Sequence, residues 1–396
     1  MKVLQSTLDG LFQALADELS ALKAQGLGRC LTPLEAIDGA CVRIGGRLLI
    51  NWCSNDYLGL STHPALREAA DRAAADWGIG ARASRLLTGT TPWHLRLERA
   101  LAAWFRAEAA IVYPSGYLAN LGTLGALASS EDLLFIDRCA HASLVDAARA
   151  SRATLRVFHH NDPAHVAHLF ARARPARRRF IITEGIFSME GDQAPLADLV
   201  NIAKAHEALV YLDDAHGAFV TGATGRGTPE VEGVPHERLL YMGTLGKALG
   251  CQGGFVIGPQ ALIELLHHRA RTFLYTTALA TPLAAAAVAA LEVLAAEPQR
   301  RGCLEQGMEH LRRRVAGMDE LTSLSVPIAS HIIPVILGSA HRALEVAESL
   351  ERQGHWVPAI RPPTVPRGSA RLRLSLTAAH TTAHIDNLVR ALKQSY

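Results

Sequence analysis

The sequence predicts an α/β fold, a mixed and mostly parallel central sheet covered by helices on both faces, followed by a smaller C-terminal α+β unit. Three observations carry that prediction. From about residue 48 to 260, short runs rich in Val, Ile, Leu and aromatic residues alternate with longer Ala/Leu/Arg segments of helical period. Beyond an alanine-rich stretch at 278–296 the pattern changes to one helix near 303–316 and strand-like runs at 331–337 and 371–376, around the proline-rich loop from Arg361 to Pro366. Finally, 396 residues with 49% hydrophobic and 19% charged side chains supply a large core, and 32 glycines with 18 prolines exclude collagenous and disordered classes.

Taken in order, residues 1–22 place Leu4, Leu8, Leu11, Phe12, Leu15, Leu19 and Leu22 at helical intervals, with Asp9, Asp17 and Glu18 between them. That is an amphipathic helix, not the apolar block of a signal peptide. Strands follow at 48–53, 110–113, 133–136, 155–158, 179–184, 208–213, 239–243 and 254–257. The stretch 278–296 carries Thr281, Pro282 and Glu292, so it reads as a buried helix and no membrane span is expected. The expected organisation is an N-terminal helix and short strand segment (1–47), a large α/β domain (48–289) and a C-terminal α+β domain (290–396). With no repeat and no low-complexity linker, the domains are expected to share an extensive interface.

A net charge of +3 demands no polyanionic partner, and the basic run at 172–179 reads as a solvated loop, so no nucleic acid is expected. Cysteines at 30, 41, 53, 139, 251 and 303 form no CxxC pair and no zinc spacing. A reducing, cytoplasmic setting and no metal site are the expectation.

Lysine is rare, five residues against 35 arginines. Four of the five lie at the termini or on solvated helix faces. Lys247 instead sits in a glycine-rich, apolar turn, Gly243-Thr-Leu-Gly-Lys-Ala-Leu-Gly250, directly after a strand. A lysine tolerates such burial by losing its charge, and a Schiff-base amine is the commonest use of one; an ordinary turn lysine is the alternative. A Walker loop is excluded because Tyr241 stands where glycine is needed and Ala248 follows the lysine. Asp213, Asp214 and His216 emerge from the strand at 208–213, where open α/β sheets bind their ligands. An aspartate there suits the ring nitrogen of pyridoxal phosphate, while metal binding or capping remains open for the same cluster. The turn Ser115-Gly116-Tyr117 leads from a strand into a helix whose free N–H groups suit a phosphate. The run Gly78-Ile-Gly80-Ala-Arg-Ala83 follows a helix-like segment and is no dinucleotide loop. His141 occupies a further loop after the strand at 133–136, suited to stacking on a flat cofactor or to a structural role. Ser188 offers a hydroxyl after the strand at 179–184. Arg361, held before Pro362 and Pro363, can grip a carboxylate or simply face solvent.

Together, SNDYLGL (54–60), SGYLAN (115–120), HASL (141–144), TEGIFSMEGD (183–192), DDAHG (213–217), GTLGKALG (243–250) and the stretch 360–380 resemble the α-oxoamine synthase family. The resemblance runs from about residue 29 to 395. It implies an aspartate-aminotransferase-like fold (fold type I), pyridoxal 5'-phosphate as cofactor and a homodimer. By that resemblance Lys247 forms the Schiff base, Asp213 pairs with the pyridine nitrogen, His141 stacks on the ring and His216 contacts its phenolic oxygen. Ser188, Thr244, Gly116 and Tyr117 complete the cofactor contacts, and Thr276 and Thr277 reach the partner subunit's phosphate. Arg361 matches the carboxylate-binding arginine, with Thr364 and Arg29 facing the acyl substrate. The stretch 359–380, with HND at 160–162, implies L-alanine and a pimeloyl thioester on coenzyme A or a carrier protein. GTLGKALG fits equally an enzyme that joins glycine to acetyl-CoA, and serine with a long-chain acyl-CoA stays open. Gly80-Ala-Arg82 departs from the family's Gly/Ser-rich turn and adds a charge expected to alter the acyl pocket.

Overall fold

The computed structural model describes residues 2–316 and 328–395, with side chains described from residue 9 onward. The chain opens with α1 (Lys2–Ala24), then β1 (Ala36–Asp38), β2 (Cys41–Ile44), β3 (Arg47–Asn51), α2 (Pro64–Trp77) and α3 (Pro92–Phe105). Strand and helix then alternate through β4 (Ala109–Tyr113), α4 (Gly116–Leu127), β5 (Leu133–Asp137), α5 (Ala142–Ala150), β6 (Thr154–Phe158) and α6 (Pro163–Ala171). The alternation continues through β7 (Arg179–Glu184), α7 (Leu196–Ala205), β8 (Leu209–Asp213), the one-turn α8 (Thr228–Val231), β9 (Leu239–Thr244) and β10 (Gly254–Gly258). After α9 (Gln260–Arg269) and α10 (Arg271–Leu274), α11 (Thr281–Ala296) and α12 (Gln299–Val315) lead to the C-terminal part. That part contains β11 (Ile332–Gly338), α13 (Ala340–Arg352), β12 (His355–Trp356), β13 (Ala359–Ile360), β14 (Ala370–Ser375) and α14 (Thr382–Ser395).

Seven strands form the central sheet in the order β4-β10-β9-β8-β7-β5-β6, with β10 antiparallel to both neighbours and the other pairings parallel. Its strands are apolar on both sides because both are covered. Leu133, Phe135, Ile181, Val210 and Leu212 face one core with α3, α7 and α11, and Leu134, Ile136, Phe180, Ile182 and Tyr211 face the other with α4, α5 and α9. This two-residue alternation follows from strand geometry.

The alanine-rich stretch is a helix, α11, buried over most of its length; Ala285 and Ala289 pack on Ala69 and Ala73 of α2. Small side chains on both helices let the axes approach closely. Among the described residues no single helix is long and apolar enough to cross a membrane, and α11 with α12 pass that test only as a pair bent by 72°. In α1, Leu11, Phe12, Leu15, Leu19 and Leu22 remain 40–62% exposed. Leu4 and Leu8 lie outside the residues whose side chains are described.

One strand differs in place from its expectation. The run at 48–53 is not part of the central sheet; β3 pairs antiparallel with β2 and parallel with β12 in a small four-stranded sheet. Local composition identifies a strand but not its partner, and here the partner lies some three hundred residues away. Trp52, just after β3, ties the segment down further: its indole N–H donates to His355 at 3.0 Å and its ring stacks on His380 at 4.1 Å.

Candidate active site

The carboxyl ends of β4, β5, β7, β8 and β9 converge on one cavity of about 180 Å³. At the end of β4, Ser115 caps α4 by accepting the Leu118 N–H at 3.2 Å. The first turn of α4 then sits against β10 so closely that a Cβ on Gly254 would meet the Gly116 backbone at 2.6 Å. A Cβ on Gly116 itself would approach Thr244 at 3.6 Å, filling the space between the helix start and β9. Tyr117 also lines the cavity, its hydroxyl bonded to the Asp146 carboxylate.

His141 caps α5 through its ring, which accepts the Ser143 N–H at 3.2 Å, while the backbone N–H of His141 donates to Glu184 at the end of β7, 2.6 Å away. Burial holds His141 below the ordinary imidazole range, with Asp213 opposing the shift. It therefore presents a flat, neutral ring. Burial also pushes the Glu184 carboxyl well up, and the neighbouring Asp213 charge adds to that.

Of the two consecutive aspartates, only Asp213 faces the cavity. Its carboxylate accepts from the Asn120 amide at 2.7 Å and from the Ala215 N–H at 3.0 Å, and Asn120 is held in turn by the Tyr211 hydroxyl at 2.9 Å. Asp214 is caged on the opposite side by Thr228 and Tyr241, where a Cβ on Gly185, Gly217 or Gly227 would come within 2.2 Å of it. Asp214 is therefore a buried structural tie, while Asp213 faces the cavity.

Lys247 Nζ lies 2.7 Å from His216 Nε2, and His216 Nδ1 lies 2.6 Å from the Tyr57 hydroxyl. Burial pushes the Lys247 ammonium down to about 8, against the opposing charges of Asp213 and Glu184. His216 is pushed well below its ordinary value, first by burial and then by the Lys247 charge. A buried lysine near neutrality, opposite a fixed carboxylate and beside a neutral imidazole, is the donor set that pyridoxal phosphate requires. The cradle at Gly116 and Thr244 suits its phosphate. The residues fit the cofactor.

The remaining expected residues fall in two places. Thr244 lines the cavity and donates to the Gly253 carbonyl at 2.8 Å, whereas Ser188 is half-buried just outside, its carbonyl accepting from Arg373 Nε at 2.6 Å. Arg361 is not at the cavity. Its guanidinium is bonded to the Gly26 and Gly28 carbonyls, Arg29 returns a bond to the Pro362 carbonyl at 3.2 Å, and Thr364 is exposed on the same loop. Thr276 and Thr277 follow α10 outside the cavity, and Arg82 is exposed at φ +67°.

Arg373, also outside the cavity lining, is tied to the site through Tyr57. Its guanidinium donates to the Tyr57 hydroxyl at 3.2 Å and to Asn55 at 3.2 Å, one hydrogen bond removed from His216. The signal lay in Arg371-Leu-Arg373-Leu-Ser375, where leucines point into the core and the alternate positions point toward the site. Tyr57 and Asn120 stand within the SNDYLGL and SGYLAN motifs, and His331, packed 4.0 Å from the Tyr57 ring, carries no local signal. Asp137, Cys139 and His160 bring potential ligand atoms within 4.8 Å of one another, but both His160 nitrogens are already taken by carboxylates, Asp137 and Asp192.

Residues 47–392 match the family model for aminotransferase class I and II. An 8-amino-7-oxononanoate synthase of Anaeromyxobacter dehalogenans is 48% identical over 383 residues, 97% of this chain and 95% of that protein. Among solved structures, a serine palmitoyltransferase from S. paucimobilis with a bound PLP–myriocin aldimine superposes with a TM-score of 0.91 at 28% identity, covering 98% of this chain and 97% of that one. An 8-amino-7-oxononanoate synthase from Francisella tularensis gives 0.75 at 27% identity, over 87% of this chain and 97% of that one.

Proposed function

The chain belongs to the class I and II aminotransferase family, and within it to the α-oxoamine synthases, and from that premise we propose that it condenses L-alanine with a pimeloyl thioester. The products are 8-amino-7-oxononanoate, carbon dioxide and the free thiol, a step of biotin biosynthesis. The single observation that carries this reading is the near-full-length identity to a synthase of that name, over a site whose lysine, carboxylate and imidazoles are all in place.

Bound pyridoxal phosphate supplies an electron sink for the charge left at Cα. Everything else is work for the chain's own residues. Lys247 holds or releases a proton at Nζ near neutral pH, which suits the amine that captures the cofactor and removes the Cα proton. Asp213, fixed by Asn120 and the Ala215 N–H, holds its carboxyl group at one point of the cavity that Lys247 also lines. His141 would offer its neutral ring as a lid and a polarising group for the acyl carbonyl, and His216, whose Nε2 faces Lys247, would contact the cofactor's phenolic edge. Gly116, Tyr117 and Thr244 would hold the phosphate, while Ser188 stands outside the cavity against Arg373. We assign the substrate carboxylate to Arg373 in place of Arg361 because Arg373 is bonded into the Tyr57–His216 chain. Arg29, Arg361 and Thr364 form a clasp outside the cavity, where a long acyl thioester would meet them.

The same proposal includes a homodimer in the cytoplasm. Ile79, Leu86, Leu87 and Tyr275 are 56–77% exposed on two segments joined by the Ala278–Ala83 backbone bond, a surface suited to a second copy that brings Thr276 and Thr277 to its partner's phosphate. Sedimentation of the purified protein tests it, a monomer being the contrary result. The reaction is tested by thiol release with alanine, glycine and serine against a panel of acyl-CoA thioesters. Alanine with pimeloyl-CoA should be fastest. Turnover of glycine or serine with alanine ignored would move the chain to another member of the family.

A further inference from the structure

We propose that His160 is a positioning residue for this site: bonded through both ring nitrogens, it fixes the loop that presents His141 against the loop that holds Arg373. The proposal rests on the reading of the cavity given above. His160 lies between β6 and α6, its side chain 14% exposed, with Nδ1 2.9 Å from Asp137 and Nε2 3.0 Å from Asp192. Both partners are acceptors, so both nitrogens carry protons and the ring is an imidazolium. The two carboxylates hold it so far up, to about 12, that it keeps its charge through the physiological range despite its burial. Asn161 reinforces the bridge from a left-handed backbone, φ +50°, with its N–H on Asp137 at 2.9 Å and its amide on Asp192 at 3.0 Å.

Each carboxylate anchors a different part of the site. Asp137 ends β5 and accepts the Cys139 N–H at 2.8 Å, setting the two-residue step to His141, whose N–H reaches Glu184. Asp192 closes the loop after β7, and that loop accepts both arginines of β14: the Ser188 carbonyl takes Arg373, while the Met189 carbonyl and Glu190 take Arg371. The loop cannot drift on its own, because the Ser330 hydroxyl donates to the Gly191 carbonyl at 2.6 Å and a Cβ on Gly191 would strike the Ile332 carbonyl at 2.1 Å. Without a cation between them, Asp137 and Asp192 repel, and the bridge between the His141 loop and the loop that holds Arg373 keeps only Asn161.

The test uses holoenzyme of the wild type, His160→Gln, Asp192→Asn and the double variant. Measured for each are pyridoxal phosphate affinity, the visible circular dichroism of the bound cofactor, kcat and KM for the amino acid, and Tm. Leu388→Ala, a buried truncation on α14 remote from both loops, supplies a protein of matched lower stability. His160→Gln should diminish the cofactor's circular dichroism and raise the KM for the amino acid roughly tenfold, with Asp192→Asn adding little on top of it. Leu388→Ala should lower Tm alone. If His160→Gln does not accumulate, Asp192→Asn should show the same changes to a smaller degree. A loaded His160→Gln enzyme with wild-type circular dichroism and KM, and only a lowered Tm, overturns the proposal. Wild-type protein that takes up no pyridoxal phosphate overturns the cofactor reading itself, and this proposal with it.

Discussion

At Lys247 the decisive quantity is how much free amine exists near neutral pH. An ordinary lysine at 10.5 and one at about 8 differ by roughly 300-fold in that fraction. Burial lowers the value, so the free amine gains as pH rises and is nearly complete above about 9. The rate at which cofactor-free protein captures pyridoxal phosphate should rise with pH and level off there; a rate still climbing at pH 10 would mean an unperturbed amine. Lys247→Ala should leave no borohydride-trapped adduct, whereas Asp213→Asn should still trap cofactor while turnover falls about 10²-fold or more. His160 makes the opposite prediction in sign. Its folded value is raised from 6.5 to about 12 by Asp137 and Asp192, with Cys139 adding to it, so its stabilisation is complete below about 6.5 and declines as pH rises toward 12. The Tm difference between wild type and His160→Gln should therefore shrink with rising pH.

Elements hold these residues through a few buried polar ties. Glu98 on α3 takes Arg85 in a two-pronged pair at 2.8 and 2.9 Å and also accepts the Val112 N–H of β4 at 3.0 Å. Both side chains are nearly buried, at 6% and 11% exposure. Glu98→Ala would leave a buried guanidinium and a strand N–H without their partner, and a loss of about 3–5 kcal/mol is expected in denaturant unfolding. Loss of the cap at the cofactor end of α4 is milder. Ser115→Ala should cost about 1 kcal/mol and weaken phosphate affinity, because the free Leu118 N–H then competes for solvent. A Glu98→Ala protein as stable as wild type would show that the segment around Arg85 rearranges freely.

Across the molecule, the joint between the small sheets and the rest is built on neutral histidines. Burial pushes His355 and His380 down to about 4 and His331 to about 3. Since an unfolded imidazole titrates near 6.5, their contribution is present above that pH and is lost as pH falls toward 4. Tm should fall steeply between about pH 6.5 and 4, and a flat Tm there would mean that the joint opens without cost. These contacts illustrate what a chain of residues specifies locally and what it does not. Strand runs, helical periods and capping residues placed the elements of the central sheet to within a residue or two, because hydrophobic alternation and backbone preference act over a few neighbours. That Lys247, Asp213, His141 and His216 meet at one cavity was legible for the same reason: each follows such a run, and strand ends in an open sheet face a common crevice. Folding in three dimensions decided the rest. It put Arg373 and not Arg361 beside Tyr57, turned Asp213 inward and Asp214 outward, sent β3 to β12, and set His160 between two carboxylates 23 and 32 residues away. Side-chain direction and long-range pairing depend on which surfaces pack together, and that is a property of the whole chain rather than of any stretch of it.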